Sequence, residues 1–571
     1  MGSRLMGTPP PQGGTIDVKP SDLHRVAGGF AGEQTQFDKA ARNLLTQLHT
    51  YPDAGGYGTA AQGLASAYVE VGNRYLEVWA RSVVSIGGAA VGFATTANHY
   101  ARAEAANDPS GRTQAHVQPP PAVVDKPPHY GSVPNLKWGD DDGGDDFIRS
   151  LLEHIPDVVW HVLRPLLEHA FRWGKVAEVY PFPQQHYLNS LSQDWADMTM
   201  SLGTTEGNLT GLVSGITQQT NSEWYDAMRQ FCSSLWGTTA WGKRTGNYEW
   251  GHDSASSPTA THPVMTVLFD TAKKISDLLR EFAEAAVELN HDVWQIYFTA
   301  VKQAIKDLDP RHFDLGDVKD GVKKVGHFLK GLAKGTAEVA ADITLNIDTA
   351  ALNHVVERYN SKVNALTPQF DALGAGLDEA YRQAPSYAAE EARAEAFGAR
   401  SLNDFKNEHK YTKDDDEKNH FYPLDLANDE GLYGGHSIDR HVGLTDEQLK
   451  ARLRDDSSAS SASAFKDLAS AQRFTQAALD DVDNADRIEK WIERVKRRQQ
   501  NNPGWDPNNS KIQPPIELSF TDATGSTVSG ADYALHGNQA QVSDTHKVRV
   551  VLRYRDGLEP PFIVVTSMPV N

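Results

Sequence analysis

The sequence predicts a multidomain chain: an N-terminal all-α helical hairpin and a helical body, followed by a C-terminal α+β unit with an antiparallel sheet. Three observations predict it. Apolar residues step by four and three along several long runs, the spacing of one helical face. Beyond Arg498 the pattern changes to short β-branched or aromatic runs bounded by Gly, Pro and Asp. Two stretches dense in Pro, Gly or charge separate the parts, and the order of helices first and strands last indicates an α+β unit.

The chain has 571 residues, enough for three or four domains at roughly 100–200 residues each. The expected divisions are a disordered 1–17, a helical hairpin at 18–107, an extended or disordered Pro/Gly/Asp-rich linker at 108–146, a helical body of antiparallel hairpins at 147–402, an exposed charged linker at 403–432 and a final unit at 433–571. Net charge is −20, which argues against a chain that coats nucleic acid or anionic lipid by general electrostatics. The acidity is uneven: residues 433–571 hold 17 Lys and Arg against 19 Asp and Glu, so −18 of the charge lies before them. Cys232 is the single cysteine, so no internal disulfide can form. It lies in the apolar pattern "MRQFCSSLWG" and reads as a buried structural thiol. The N-terminus lacks the apolar core of a signal peptide. The most apolar window, Ser82–Ala97, is short for a membrane span, and Gly88 and Gly92 suit a close helix contact.

Phe30, Phe37 and Leu44 fall seven apart and mark the first helix. The turn-rich "YPDAGGYG" (51–58) follows, and Leu64, Tyr68, Val71, Tyr75 and Val78 mark the second helix. This hairpin resembles the WXG-type proteins exported by type VII secretion systems, with "GGYG" where Trp-x-Gly is expected. The resemblance implies a small helical WXG-type partner or chaperone and the type VII secretion machinery as partners. It also implies an export signal at Tyr100 and Glu104, which match Tyr-x-x-x-Asp/Glu. In the body, Leu268–Ile296 and Leu352–Leu377 carry two more stripes, and Pro368 is expected to kink or end the second. "LWGTTAWG" (235–242) reads as a chain turn, and His291 and His354 read as lone helical histidines.

In the last unit, Thr445 and Gln448 have capping-box spacing, so a helix is expected from Asp446. A second helix is expected across Ser463–Asp481 and a third across Asn484–Arg498, where Ile488, Trp491, Ile492 and Val495 share a face. Strands are expected at Ile516–Phe520, Lys547–Arg555 and Pro561–Pro569.

"GGHSIDRHVGLTDEQLKARL" and the closing "FIVVTSMP" resemble the bacterial RNase A-like toxin domain, found at the C-terminus of contact-dependent inhibition proteins and other polymorphic toxins. Gly434, Gly435, His436, Ile438, His441, Val442 and Gly443 match its opening block. Leu449, Arg452 and Leu453 match its helix, and Thr566 and Pro569 match its Thr-x-Tyr-Pro ending, with Met568 in place of Tyr. The resemblance implies a metal-independent endoribonuclease that needs no cofactor and leaves a 2′,3′-cyclic phosphate. The whole chain would then be a secreted antibacterial toxin, exported by type VII secretion, that acts in the cytoplasm of the target cell. Its partners would be an RNA substrate and a cognate immunity protein.

Such chemistry needs a base, an acid and a cation. Histidine titrates near neutrality, and an arginine fork fits a phosphate oxygen. The family pattern makes His441 the base or acid, Arg452 the charge stabiliser and Thr566 the completing hydroxyl. His436, and after it His546, are candidates for the function Met568 cannot supply. Arg549 and Arg553 alternate on one strand and are candidates for phosphate binding beside Met568. Trp505, Tyr533 and Tyr554 are candidate stacking surfaces. The plainer readings remain open: a capping histidine, solvated helix cations at Arg494–Arg498, or a non-enzymatic helical scaffold whose C-terminal unit binds a partner.

Overall fold

A computed structural model describes residues 19–106, 108, 110, 112–136, 174–217, 264–308, 346–400, 424, 426–429, 435–558 and 560–571. Residues 1–17, Cys232, the 235–242 turn and most of the 403–432 linker lie outside the described residues.

Helix α1 (Pro20–Leu48) and helix α2 (Thr59–Ala106) form the hairpin, joined through the Gly-rich turn. Their seam is aromatic: Phe37 stacks on Trp79 at 3.9 Å between ring centres, and the Trp79 indole N–H donates to the Phe37 carbonyl at 2.9 Å. α3 (Gln185–Thr217), α4 (Val264–Leu308) and α5 (Thr349–Gln383) pack onto this pair, and α6 (Tyr387–Arg400) runs along α2. Gly88 and Gly92 make that last approach possible: a side chain at either would run into the backbone oxygen of Tyr387 or Glu391. The segment Thr59–Arg102 is apolar and long enough to cross a membrane, and 89% of its most apolar window is buried within the protein.

Two expectations are corrected, those for Pro368 and for the end of the charged linker, and the Pro/Gly/Asp-rich linker keeps an extended form. α5 continues through Pro368 to Gln383. The missing N–H costs one backbone bond, and Leu366 and Phe370, buried on either side, hold the helix in place. Residues 112–136 are extended but strapped down: Gln34 bonds both the N–H and the carbonyl of Val124 (2.9 and 2.8 Å), and Tyr130 donates to Asp38 at 2.8 Å. The end of the charged linker is docked, not exposed. Leu424 and Leu426 are buried and donate their N–H groups to Gln476 and Gln472 at 2.7 and 2.9 Å.

The C-terminal unit is α+β, with two three-stranded antiparallel sheets. It opens with short helices α7 (Leu426–Asp429) and α8 (Ser437–His441), then α9 (Asp446–Asp455). Thr445 and Gln448 close the expected capping box on α9. Strand β1 (Ser461–Ala464) replaces the start of the expected second helix, because its small residues pair with β3 while Asp467 caps α10 (Leu468–Asp480). α11 (Val482–Asn501) follows, then β2 (Ile516–Ser519), β3 (Gly525–Ser529), α12 (Gly530–His536), β4 (Val542–Thr545), β5 (Lys547–Tyr554) and β6 (Phe562–Val570).

One sheet has the order β1-β3-β4 and the other β2-β5-β6. In the second, Val548, Val550, Leu552 and Tyr554 alternate inward. They face α10 and α11, where Trp491 meets Tyr554 edge-on at 6.2 Å. The opposite face carries the half-buried Arg549, Val551, Thr566 and Met568. A bulge at Val565 shifts the register, so Val551 pairs with Thr566 but Leu552 pairs with Val564.

Candidate active site

The site gathers where α8, α9, β1 and β6 meet. His436 precedes α8 and His441 ends it, so this five-residue helix joins the two histidines. The backbone N–H of His436 donates to the carbonyl of the bulged Val565 at 2.9 Å, next to Thr566 in sequence. The bulge frees that carbonyl from the ladder, and α8 uses it. Ser437 reinforces the join by accepting from the Ser567 N–H at 2.9 Å, and Asp429 accepts from the Val564 N–H at 3.0 Å.

His441 is 6% exposed. Its Nδ1 lies 2.9 Å from the Ser463 carbonyl oxygen on β1. A carbonyl only accepts, so Nδ1 carries the proton and the neutral ring presents its lone pair at Nε2. The backbone fixes the ring's height, since the Phe465 N–H donates to the His441 carbonyl at 2.7 Å. Burial pushes the imidazole pKa down to about 3, and the positive charge of Arg452 and the nearby His436 and Arg440 push the same way, against the Ser463 bond.

Arg452 reaches back from α9 and donates through Nη1 to the Arg440 carbonyl, one residue before His441. Burial lowers this guanidinium to about 10, and Arg440 adds to the effect. A guanidinium and an imidazole that both favour less positive charge make a place suited to an anion. Thr566 lies on β6 one residue past the Val565 that holds His436, and its Oγ1 is buried and has no hydrogen-bond partner. A buried hydroxyl with unused donor and acceptor capacity is uncommon in a settled core.

The other candidates separate. Met568 sits directly across from Arg549. Arg549 is itself engaged, with Nε donating to Glu517 at 2.6 Å, so part of its charge is already answered. Arg553 lies past the bulge, opposite Ile563. His546 is exposed between β4 and β5. Tyr554 is 1% exposed in the core and offers no stacking face, which corrects the expectation drawn from its sequence. Tyr533 packs against the small cluster around Leu449, and Trp505 lies under the Arg498 guanidinium at 4.3 Å. In the helical part, Tyr100 is 4% exposed within α2 and Glu104 is exposed. Two members of the site have no sequence signal. Arg440 sits between the two histidines but carries no pattern of its own, and the Ser463 carbonyl is a backbone oxygen that leaves no trace in side-chain chemistry.

Residues 435–569 match the family model described as the bacterial CdiA-CT RNAse A domain. That span holds His436, His441, Arg452, Thr566 and Met568 and leaves the helical body outside. The solved structure of a CdiA-CT/CdiI complex from Y. kristensenii 33638 is similar at 23% identity, over 24% of this chain and all of that one, with a TM-score of 0.18. No curated protein matches the chain. The likeness at this end of the chain is to a bacterial RNase A-like domain.

Proposed function

We propose that the C-terminal unit is a metal-independent endoribonuclease and that the whole chain is an antibacterial toxin. In this reading Nε2 of His441 takes the ribose 2′-OH proton, the 2′-oxygen attacks phosphorus and the bond to the 5′-oxygen breaks. His436 returns a proton to the departing 5′-oxygen. Arg452 and the Thr566 hydroxyl hold the non-bridging oxygens. The products are a 2′,3′-cyclic phosphate end and a 5′-hydroxyl end.

The observation that carries the reading is the neutral, Nδ1-anchored His441 beside the Arg452 guanidinium. A base must begin unprotonated, as burial keeps this ring, and an incoming phosphate would offset the cations that add to that effect, raising its affinity for the proton. The match over 435–569 supports RNA as the substrate class.

Export through a type VII system, with a small helical partner, is proposed from the α1–α2 hairpin and the Tyr100–Glu104 motif. A cell that makes such an enzyme requires an immunity protein against it. The test is incubation of the full chain with RNA and with DNA in excess chelator: loss of RNA alone supports the reading, and survival of both defeats it. Survival of both would favour a scaffold whose last unit only binds a partner.

A further inference from the structure

The outward side of α11 is a concentrated basic surface that the reaction above does not use. From Arg487 to Arg498 it holds six Lys or Arg against two Glu, in a chain whose net charge is −20. Its inward residues, Ile488, Trp491, Ile492 and Val495, are buried beneath the β2-β5-β6 sheet. The cations at 487, 490, 494 and 497 therefore form a stripe on the other side, about 15 Å long at 1.5 Å per residue. It lies across the sheet from the face that carries Thr566 and Met568.

The stripe is more than a solvated helix end. Arg487, Lys490, Arg494 and Glu493 line a cleft of about 310 Å³ whose remaining walls are Ile512 and Gln513. Lys490 is paired with Asp486 at 2.7 Å, so the arginines carry the attraction. Arg487 is held by neutral oxygens: the Pro514 carbonyl at 2.8 Å and the Asn484 side chain at 3.2 Å. Arg494 likewise donates to the Lys490 carbonyl at 3.3 Å. These bonds orient the two guanidinium groups without cancelling their charge. At the end of the helix, Arg498 lies over the half-buried Trp505 ring, setting an aromatic surface beside the cations.

We propose that this cleft and stripe form an RNA-docking surface that grips the backbone of a long substrate away from the cutting site. The proposal rests on the ribonuclease reading for its ligand. Oriented guanidinium groups beside an aromatic ring suit a flexible single strand, whose phosphates need counter-charge and whose bases need a platform. The part of the chain before residue 433 carries −18 of the net charge and repels a polyanion, so the stripe adds the attraction that brings RNA in.

The test uses the full chain carrying His441→Asn, which binds without cutting, and a fluorescent single-stranded RNA titrated across a salt series. Adding Arg494→Gln and Arg497→Gln, both on the exposed side of α11, should weaken binding. The slope of log affinity against log salt should also fall by about 1.4, or about 0.7 for each phosphate no longer neutralised. In the cutting-competent chain the same pair should raise KM on long RNA and leave cleavage of a dinucleotide unchanged, a split that misfolding would not give. Unchanged affinity and slope would overturn the proposal, and so would an equal decline on both substrates. If the slope falls but the unmutated chain cuts no RNA, the docking surface stands and the ribonuclease reading fails.

Discussion

His441 and Ser463 lie 22 residues apart in sequence, yet the ring Nδ1 of one is 2.9 Å from the carbonyl oxygen of the other. That bond turns a histidine of undetermined tautomer into one whose Nε2 is the basic atom. It also ties the proposed base to β1, a strand in the smaller sheet.

Burial makes His441 acid-sensitive. The folded ring gives up its proton near pH 3, whereas the free side chain does so near 6.5. Between those values the unfolded chain binds more protons, so stability falls as pH drops through that window, by up to about 1.4 kcal/mol per pH unit from this group. Urea titrations from about pH 7 to 4 should show the decline, and His441→Asn should lessen it. Adding a mononucleotide should move the His441 titration in NMR upward.

Arg452 is expected to matter through its planar fork. Its Nη1 is committed to the Arg440 carbonyl, which aims the remaining N–H groups. Arg452→Lys keeps the charge but loses that geometry, and RNA cleavage should fall by about 10²–10³, as for loss of one transition-state donor. A thermal melt little changed from the parent would place the effect in catalysis.

Met568 stands opposite Arg549, where the family ending has a tyrosine. With His436 as acid, Met568→Tyr should leave the cleavage rate within a few-fold. His436→Ala should lower it by about 10²–10⁴. The reverse pattern would give the role to position 568.

The C-terminal unit leans on the helical body beside its proposed base. Gly443 has φ +68°, and a Cβ there would lie 2.6 Å from the Ala389 backbone nitrogen. Ser386 donates to the Gly443 carbonyl, Gln448 donates to the Ala384 carbonyl at 2.9 Å, and Arg454 pairs with Glu379 at 2.7 Å. Gly443→Ala should cost about 1–2 kcal/mol in backbone strain alone. It should also speed proteolytic separation of the two parts, read by limited digestion of the full chain.

Much of this was legible from residue patterns. The stripes Leu268–Ile296 and Leu352–Leu377 became α4 and α5 because long apolar periodicity survives tertiary packing. Thr445 and Gln448 announced α9, a local signal carried within a single helical turn. The β1-β3-β4 sheet is invisible to such patterns because "SASA", "GSTVS" and "VSDT" are short and polar, without an alternating apolar face. Tyr554 reads as a surface aromatic in sequence because the side a strand buries depends on which helix lies against it. The histidines, Arg452 and Thr566 stand out as motif members. The Ser463 bond, the Val565 bulge and the field of Arg440 belong to the folded chain and appear only there.

The most direct measurement is the product of RNA cleavage by the full chain and by His441→Asn, in chelator, with the new ends identified by mass spectrometry. The account predicts 2′,3′-cyclic phosphate ends from the parent and a loss of at least about 10²-fold in the variant, which keeps a donor for Ser463 but lacks Nε2. Undiminished cleavage by His441→Asn, or ends bearing a 5′-phosphate, would contradict it.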